Sequence, residues 1–541
     1  MEKEVSKIGI FIYDCESKLK NILSTDEACS KLEGLGFVCF KSLTPRFTEV
    51  MCDFEKYLKD NEVSKIVVAG CNPRPKKQIF KNSLKKMGLN PYLVNFVNLN
   101  EVIGYKEKKR ATEKAVNLVV RAAKWIKMQE PIGTQKVLLN QKVLVLGSGI
   151  AGIETALILA EGGLDTILIE ETSHLGGGAV AIENLKSLVE SKIEALTNEK
   201  KVRIINSSYL VDLNGHAGKF IARVDGKQKL TVEVGAIVVA TGYKPILPVQ
   251  ELGENPDSLI IGQKDMGNRL SLGKNIPQRV CFLIDLVDED LKISTQALLK
   301  QALTVKEKFG SDVICFCRDL KVSFDGGEEL YKKAREAGVL FFKYAEKPEI
   351  KLSYNTVEVH LINEDYPYEK LIFESDLLVV GEKAVPGKKF EELAKLLSVN
   401  LDSKGFFQEE NVKLLPTFSS KRGVFFVGGC RFPQNIEETF SEARGTAGEV
   451  LSFLSKGEIE LDLTSAKINP DKCVLCLTCI RTCPHGAIVV DYEEETAKVI
   501  PLACQSCGIC ASECPVMAIE LPLYTNAQII GQLSDVVGEA G

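Results

Sequence analysis

Eight cysteines near the C-terminal end set the tightest limit on what this chain folds into. They fall in two copies of one spacing, Cys473-x2-Cys476-x2-Cys479-x3-Cys483-Pro484 and Cys504-x2-Cys507-x2-Cys510-x3-Cys514-Pro515. Three thiolates within a few residues wrap three corners of an iron-sulfur cubane, and the fourth Cys of each run reaches across to the other cluster. The spacing therefore assigns Cys473, Cys476, Cys479 and Cys514 to one 4Fe-4S cluster, and Cys504, Cys507, Cys510 and Cys483 to a second. Zinc sites use paired C-x2-C knuckles, and a disulfide framework needs an oxidising compartment, so neither competes well. Two such clusters carry electrons one at a time.

The rest of the chain is too large to be an appendage of that motif. With 541 residues it exceeds one core and predicts several domains. A net charge of -5, spread over mixed Lys and Glu, gives no footprint for nucleic acid and favours proteins or small molecules as partners. No apolar run approaches the roughly 18 to 20 residues that span a bilayer, so no direct membrane span is expected. The opening Met1-Glu2-Lys3-Glu4-Val5 has no signal-peptide core. Together with 17 Cys, many needed reduced to bind iron, this predicts a reducing cytoplasm.

Patterning predicts an α/β chain in five parts. Residues 1–132 alternate short apolar runs with helix-like segments, as in a small parallel α/β domain, and end in a helix over Ala111 to Met128 before Pro131-Ile132-Gly133. Residues 136–247 and 405–457 form a split nucleotide-binding domain. Residues 248–404 form a degenerate second copy, 464–522 an α+β bacterial-ferredoxin domain, and 523–541 a tail.

The split domain is read from Lys142-Val143-Leu144-Val145-Leu146, which runs into Gly147-Ser148-Gly149-Ile150-Ala151-Gly152, then a helix-like segment, then a strand ending at Glu170. Gly147 permits the tight turn, Gly149 lets backbone approach a pyrophosphate, and Gly152 lets the helix pack closely, with the helix start facing the phosphates. Glu170 is placed to accept from ribose hydroxyls. Gly176-Gly177-Gly178 offers a second close approach. Further on, Ala240-Thr241-Gly242 ends one strand and Gly428-Gly429 ends another, which leads through Pro433-Gln434-Asn435-Ile436 into a helix.

This set resembles thioredoxin-reductase-like flavoproteins with two dinucleotide domains, which implies FAD. In that family the last segment passes the flavin ring, so amides around Asn435 and Ile436 would face its pyrimidine edge. That family often has Asp after the Gly of the last strand, where this chain has Gly429. In the middle portion, the strand Arg279 to Leu286 is followed by Val287-Asp288-Glu289-Asp290, acidic and without glycines, a poor receptor for a pyrophosphate.

The order of parts is similar to the FAD-containing iron-sulfur subunit of the heterodisulfide reductase family over nearly the whole chain. Carrying that resemblance are Cys15, Gly70-Cys71-Asn72-Pro73-Arg74, Gly88-Leu89-Asn90-Pro91-Tyr92-Leu93, the flavin segments and the C-terminal double ferredoxin. It implies an oxidoreductase hub, bifurcating or confurcating electrons. Its partners would be ferredoxin, a small iron-sulfur protein linked to a hydrogenase or formate dehydrogenase, and the other subunits of such a complex, in a homo- or hetero-oligomer. Larger members carry an extra ferredoxin-like insert after the Gly-Gly, whereas here Gly178 runs straight into a helix-like Ala181 to Leu196. No catalytic acid, base or nucleophile is needed for electron transfer. Competing readings are an NAD(P)H:ferredoxin-type oxidoreductase and a non-catalytic electron relay.

The N-terminal cysteines stay open at this stage. Cys15, Cys52 and Cys71, with Cys29 or Cys39, form a third cluster site, or they simply pack as small buried residues.

Overall fold

In a computed structural model of the chain, the described residues are 7–14, 19–181, 183–252, 258–286, 291–362 and 370–537. Cys15 and residues 287–290 lie outside them. The chain divides into two compact units, 1–136 with 460–483 and 487–541, and 137–459 with 484–486. Among the described residues no helix is long and apolar enough to cross a membrane.

The first unit opens with a four-stranded parallel sheet, order β2 (Val38–Ser42), β1 (Ile8–Tyr13), β3 (Lys65–Gly70), β4 (Val94–Asn98). Helices α1 (Thr25–Gly34), α2 (Phe47–Asp60), α3 (Lys77–Lys86) and α4 (Lys108–Lys127) follow the strands in turn. β1 and β3 are near-continuous apolar runs because both faces of the sheet are covered by helices. Phe54 packs edge-on against Phe11 at 5.0 Å and against Phe80 at 4.9 Å, joining the sheet to α2 and α3. The helix expected over Ala111 to Met128 runs Lys108–Lys127.

In the same unit, the C-terminal cluster segment has a small core of Ala466, Ile488, Ala497 and Ile519, with Cys479 and Cys510 packed into it. So few apolar side chains do not hold a domain unaided, which is why such segments depend on cross-links. Tyr92 Oη donates to Asp462 at 2.7 Å and Lys85 lies 3.1 Å from Glu460, fastening the strand before the clusters to the head.

The second unit holds two domains of one plan. The first has a parallel sheet in the order Val424–Phe426, Ala236–Val239, Lys142–Leu146, Asp165–Ile169, Val202–Ile205, and a three-stranded antiparallel sheet from Ser208 to Val234. The second has Ile260–Gly262, Leu377–Val380, Arg279–Leu283, Asp312–Cys317, Leu340–Lys343, and its own antiparallel sheet from Glu349 to Ser375. The strand Val424–Phe426 returns to the first sheet beside Ala236–Val239, and the helix Ile436–Leu454 packs on Ile150–Glu161. The split arises because the second domain is inserted before that last strand. The helix expected over Ala181 to Leu196 is Glu183–Asn198.

Candidate functional site

The Gly-rich turn takes the shape its residues predict. Gly147 has φ +104°, and a Cβ there would lie 2.5 Å from the Ala240 carbonyl. A Cβ on Gly152 would lie 2.0 Å from the Gly147 carbonyl, so the helix Ile150–Glu161 can start beside the turn only with Gly there. Gly149 caps that helix with no side-chain acceptor, leaving the amides at its start, those of Ile150 and Ala151 included, for a ligand. A Cβ at Gly178 or Gly242 would meet nothing within 4 Å. Gly176 N–H donates to the Ser148 carbonyl at 2.8 Å, seating the second Gly run, with Gly177, against the first. Thr241 is exposed beside Gly242, while Ala240 is buried. The result is an open, glycine-lined cradle beside a helix start, which fits a dinucleotide pyrophosphate.

Glu170 stands at the end of the second strand as expected, and its carboxylate is engaged by the neighbouring turns. One oxygen accepts from Ser148 N at 2.9 Å and Ser148 Oγ at 2.7 Å, the other from Thr172 N at 2.8 Å and Thr172 Oγ1 at 2.9 Å. Thr172 Oγ1 also lies 2.9 Å from the His174 carbonyl and has one proton to give, so when it donates there the carboxylate keeps an acceptor position for a ribose hydroxyl. The start of the helix Ile436–Leu454 is likewise engaged. Asn435 Oδ1 accepts from Glu438 N at 2.8 Å, and Asn435 N–H donates to Glu438 at 3.2 Å. The Asn435 backbone amide is therefore spoken for, and Ile436, the next residue, opens the helix inside this box.

Sequence reasoning missed a buried charge network behind this turn. Arg431, with 4% of its side chain exposed, pairs with Glu442 and lies 3.8 Å from Glu409. Glu442 in turn accepts from Gly428 N at 2.6 Å and Gln434 Nε2 at 2.8 Å. One buried carboxylate thus holds both ends of the loop that carries Gly428 and Gly429. At Gly429 a Cβ would lie 2.6 Å from the Tyr243 ring, so the ring occupies the room that a longer residue would need. Cys430 is fully buried, its thiol 3.2 Å from the Val239 carbonyl, and burial pushes it up to about 12, which removes it as a redox thiol.

Hydrogen-bond equivalences align the two domains residue by residue. Ala240 N bonds Leu146 O in the first and Gly381 N bonds Leu283 O in the second; Gly147 N bonds Ile169 O and Ile284 N bonds Phe316 O. Ile284 therefore stands where Gly147 does, and Cys317 where Glu170 does. Ile284 is fully buried, and burial pushes Cys317 up to about 11.

At the cluster motif, Cys473, Cys476, Cys479 and Cys514 line one pocket with Ile468, Ala497 and Ile519. The fourth thiol of that pocket comes from the second cysteine run. Cys510 is buried, and burial, then the neighbouring thiols of Cys504, Cys483 and Cys507, push it up to about 11. Among the described residues no three His, Cys, Asp or Glu stand close enough to hold a single metal ion. Four thiols spread around a pocket suit a multi-atom cluster instead. The two loops repeat one conformation, with left-handed Leu475 and Leu477 in the first matched by Ser506 and Gly508 in the second. Left-handed leucines are costly, and a loop wrapped around a cluster requires them. Amides of Ala487 and Ala518 donate to Cys483 and Cys514 sulfurs, both at 3.3 Å.

In the head, Cys29 and Cys39 are joined in a disulfide, which withdraws both from the third-cluster set. Cys71 is buried and Cys52 exposed. His485 Nδ1 lies 3.1 Å from the Ser420 carbonyl, a packing role.

Comparison with known proteins agrees with these features. The sequence profile of the pyridine nucleotide-disulphide oxidoreductase family matches residues 141–281, and that of the 4Fe-4S dicluster domain matches 465–515. A CoB-CoM heterodisulfide reductase iron-sulfur subunit of Methanopyrus kandleri is 26% identical, covering 100% of this chain and 99% of the relative. Their alignment spans 670 positions, 129 more than the 541 residues here, so the relative is longer within the shared region. The corresponding subunit of the ferredoxin/F420H2-dependent CoB-CoM heterodisulfide reductase of Methanosarcina acetivorans is 24% identical over 90% of this chain and 75% of its own length. Thioredoxin reductase of Lactococcus lactis is 19% identical, with a TM-score of 0.43 over 59% of this chain and 100% of that one. With a flavin-type nucleotide cradle, two cysteine quartets and a relative aligned end to end, this chain is an oxidoreductase built on FAD and two 4Fe-4S clusters, similar over its whole length to heterodisulfide reductase iron-sulfur flavoprotein subunits.

Proposed function

We propose that the chain converts two-electron flavin chemistry into one-electron transfer, as the flavin subunit of a heterodisulfide-reductase-like complex. FAD accepts electrons in pairs and each cluster passes one, so a chain holding both is a two-to-one converter. The observation that carries this reading is the pocket in which Cys514 joins Cys473, Cys476 and Cys479, in one chain with the glycine cradle. Those four thiols, and Cys504, Cys507, Cys510 with Cys483, would hold the clusters. Gly147, Gly149, Ile150, Ala151, Gly152, Gly176, Gly177, Ala240, Thr241, Gly242 and Gly428 would hold FAD by backbone. Glu170 would meet its ribose, and the helix start at Ile436 would face the ring. The rival NAD(P)H:ferredoxin reading is disfavoured by Ile284 and Cys317 at the positions of Gly147 and Glu170.

In its fuller form the reading divides electron pairs between ferredoxin and a disulfide-reducing partner, fed by a hydrogenase- or formate-dehydrogenase-linked protein. Anaerobic purification followed by iron and flavin analysis tests the core of it. The expected result is about eight irons and one FAD per chain. A flavin-free protein with intact iron would leave only a relay, and about twelve irons would restore a head cluster.

A further inference from the structure

Two buried polar atoms in the loop after the strand Val424–Phe426 have no hydrogen-bond partner among the described residues, the acceptor Gln434 Oε1 and the donor Arg431 Nε. Folded proteins pair nearly all such atoms, because an unpaired buried group loses its bonds to water and gains none. A bound ligand or an enclosed water supplies the missing partner.

Both side chains are held by one carboxylate. Glu442, with 10% of its side chain exposed, pairs through Oε1 with Arg431 Nη2 and accepts through Oε2 from Gly428 N at 2.6 Å and Gln434 Nε2 at 2.8 Å. A carboxylate paired with a guanidinium can only accept, so the Gln434 amide has one orientation. Its nitrogen faces Glu442 and its carbonyl oxygen is turned away from that carboxylate. Glu442 thus sets the aim of the oxygen, and Gly428 N shares the same anchoring atom.

That anchor lies beside the nucleotide cradle. A Cβ on Gly428 would lie 2.7 Å from Ala151 Cβ, at the start of the helix Ile150–Glu161, and one on Gly429 would lie 3.7 Å from Gly242 Cα. A dinucleotide with its phosphates on the Ile150 and Ala151 amides and its adenosine ribose toward Glu170 would have its other half on the Gly428 side. In FAD the part next to the phosphates on that side is the ribityl chain, whose hydroxyls need acceptors. Gly429 brings none, and a Cβ there would lie 2.6 Å from the Tyr243 ring. A chain of hydroxyls both gives and accepts hydrogen bonds, which suits an unpaired acceptor and an unpaired donor flanking one carboxylate. A ring N–H only gives.

We propose that Gln434, oriented by Glu442, is the acceptor for a ribityl hydroxyl of FAD, a task the side-chain-free Gly429 leaves undone. The proposal rests on the FAD reading above. The test uses the full-length protein, stripped of flavin with its clusters kept, and titrates it anaerobically with FAD and with the 2′-, 3′- and 4′-deoxyribityl analogues of FAD, following quenching of flavin fluorescence. The wild type should bind one of the analogues about tenfold more weakly than FAD, the worth of one hydrogen bond. Gln434→Leu should bind FAD about tenfold more weakly, and bind that analogue no worse than the wild type does, so the two losses do not add. Should Gln434→Leu fail to fold, Gln434→Met, unbranched and of the same length, replaces it. Wild-type affinity that is equal for FAD and all the analogues would overturn the proposal. So would losses that add, because the oxygen would then serve an enclosed water or the flavin ring. A wild type that keeps its iron and binds no flavin refutes the functional reading, whereas one that binds FAD without discriminating the analogues refutes this assignment alone.

Discussion

The two nucleotide-type domains share a strand order and an appended antiparallel sheet, yet they differ at the two positions that would meet a nucleotide. In the first, Gly147 turns at φ +104° and Glu170 ends the next strand; in the second, the matching positions are Ile284, fully buried, and Cys317. The backbone plan survives such exchanges because parallel sheets are held by buried apolar strands, which both domains have. Recognition of a dinucleotide is more demanding, since it uses bare backbone at the turn and a polar acceptor beyond it. Fold alone thus says little about cofactor in this protein.

The sharpest way to break the comparison is to exchange the turn residues. Gly147→Ile writes the second domain's residue into the first, where a Cβ meets the Ala240 carbonyl at 2.5 Å, and should abolish flavin binding, read by the visible spectrum after purification. The reciprocal Ile284→Gly should leave flavin content unchanged. Next in size, Cys514→Ser removes the cross-over thiol from the pocket of Cys473, Cys476 and Cys479, and iron should fall from about eight to about four per chain. Retention of all eight would refute the crossed pairing.

A smaller effect separates the flavin domain's last turn from the rest. Arg431→Ala leaves Glu442 buried without its cation, and should cost about 3 kcal/mol in denaturant unfolding of the loaded protein. An unchanged midpoint would show that the pair contributes nothing there. The smallest effect belongs to the buried thiols of the second domain. Burial raises Cys281 and Cys317 to about 11, whereas an unfolded thiol ionises near about 8.5. Folded thiols stay protonated as the unfolded chain begins to lose protons. Their contribution is therefore complete at pH 7, declines above about pH 9 and is gone past the folded values. Thermal midpoints across that range should fall less in a Cys281→Ala, Cys317→Ala variant than in the parent.

Much of this was legible in residue order. The cysteine spacing carries its own geometry, so the cross-over of Cys514 could be read before any coordinate. Likewise Gly147, Gly149 and Gly152 announce a turn that no other residue makes so close to the Ala240 carbonyl. What sequence could not give are contacts set by folding across distance. Arg431 and Glu442 lie 11 positions apart with nothing between them to mark a buried pair. The Cys29–Cys39 bond joins α1 to β2, so neither thiol is left for a third cluster, although both sat in the expected neighbourhood. Glu170 was placed correctly in the chain, but its bonds to Ser148 and Thr172 appear only when the turns meet. The equivalence of Ile284 with Gly147 also needs the ladder, because the acidic stretch that first argued against a nucleotide, residues 287–290, lies outside the described residues.

The most direct test of the central claim is anaerobic mixing of the oxidised, cofactor-loaded protein with NADH, then NADPH, then reduced ferredoxin, following the flavin's visible band. No bleaching by either nicotinamide, with bleaching by ferredoxin, is the predicted result for a protein whose second domain no longer receives a nucleotide. Rapid bleaching by NADH or NADPH would contradict it and make the protein a reductase in its own right.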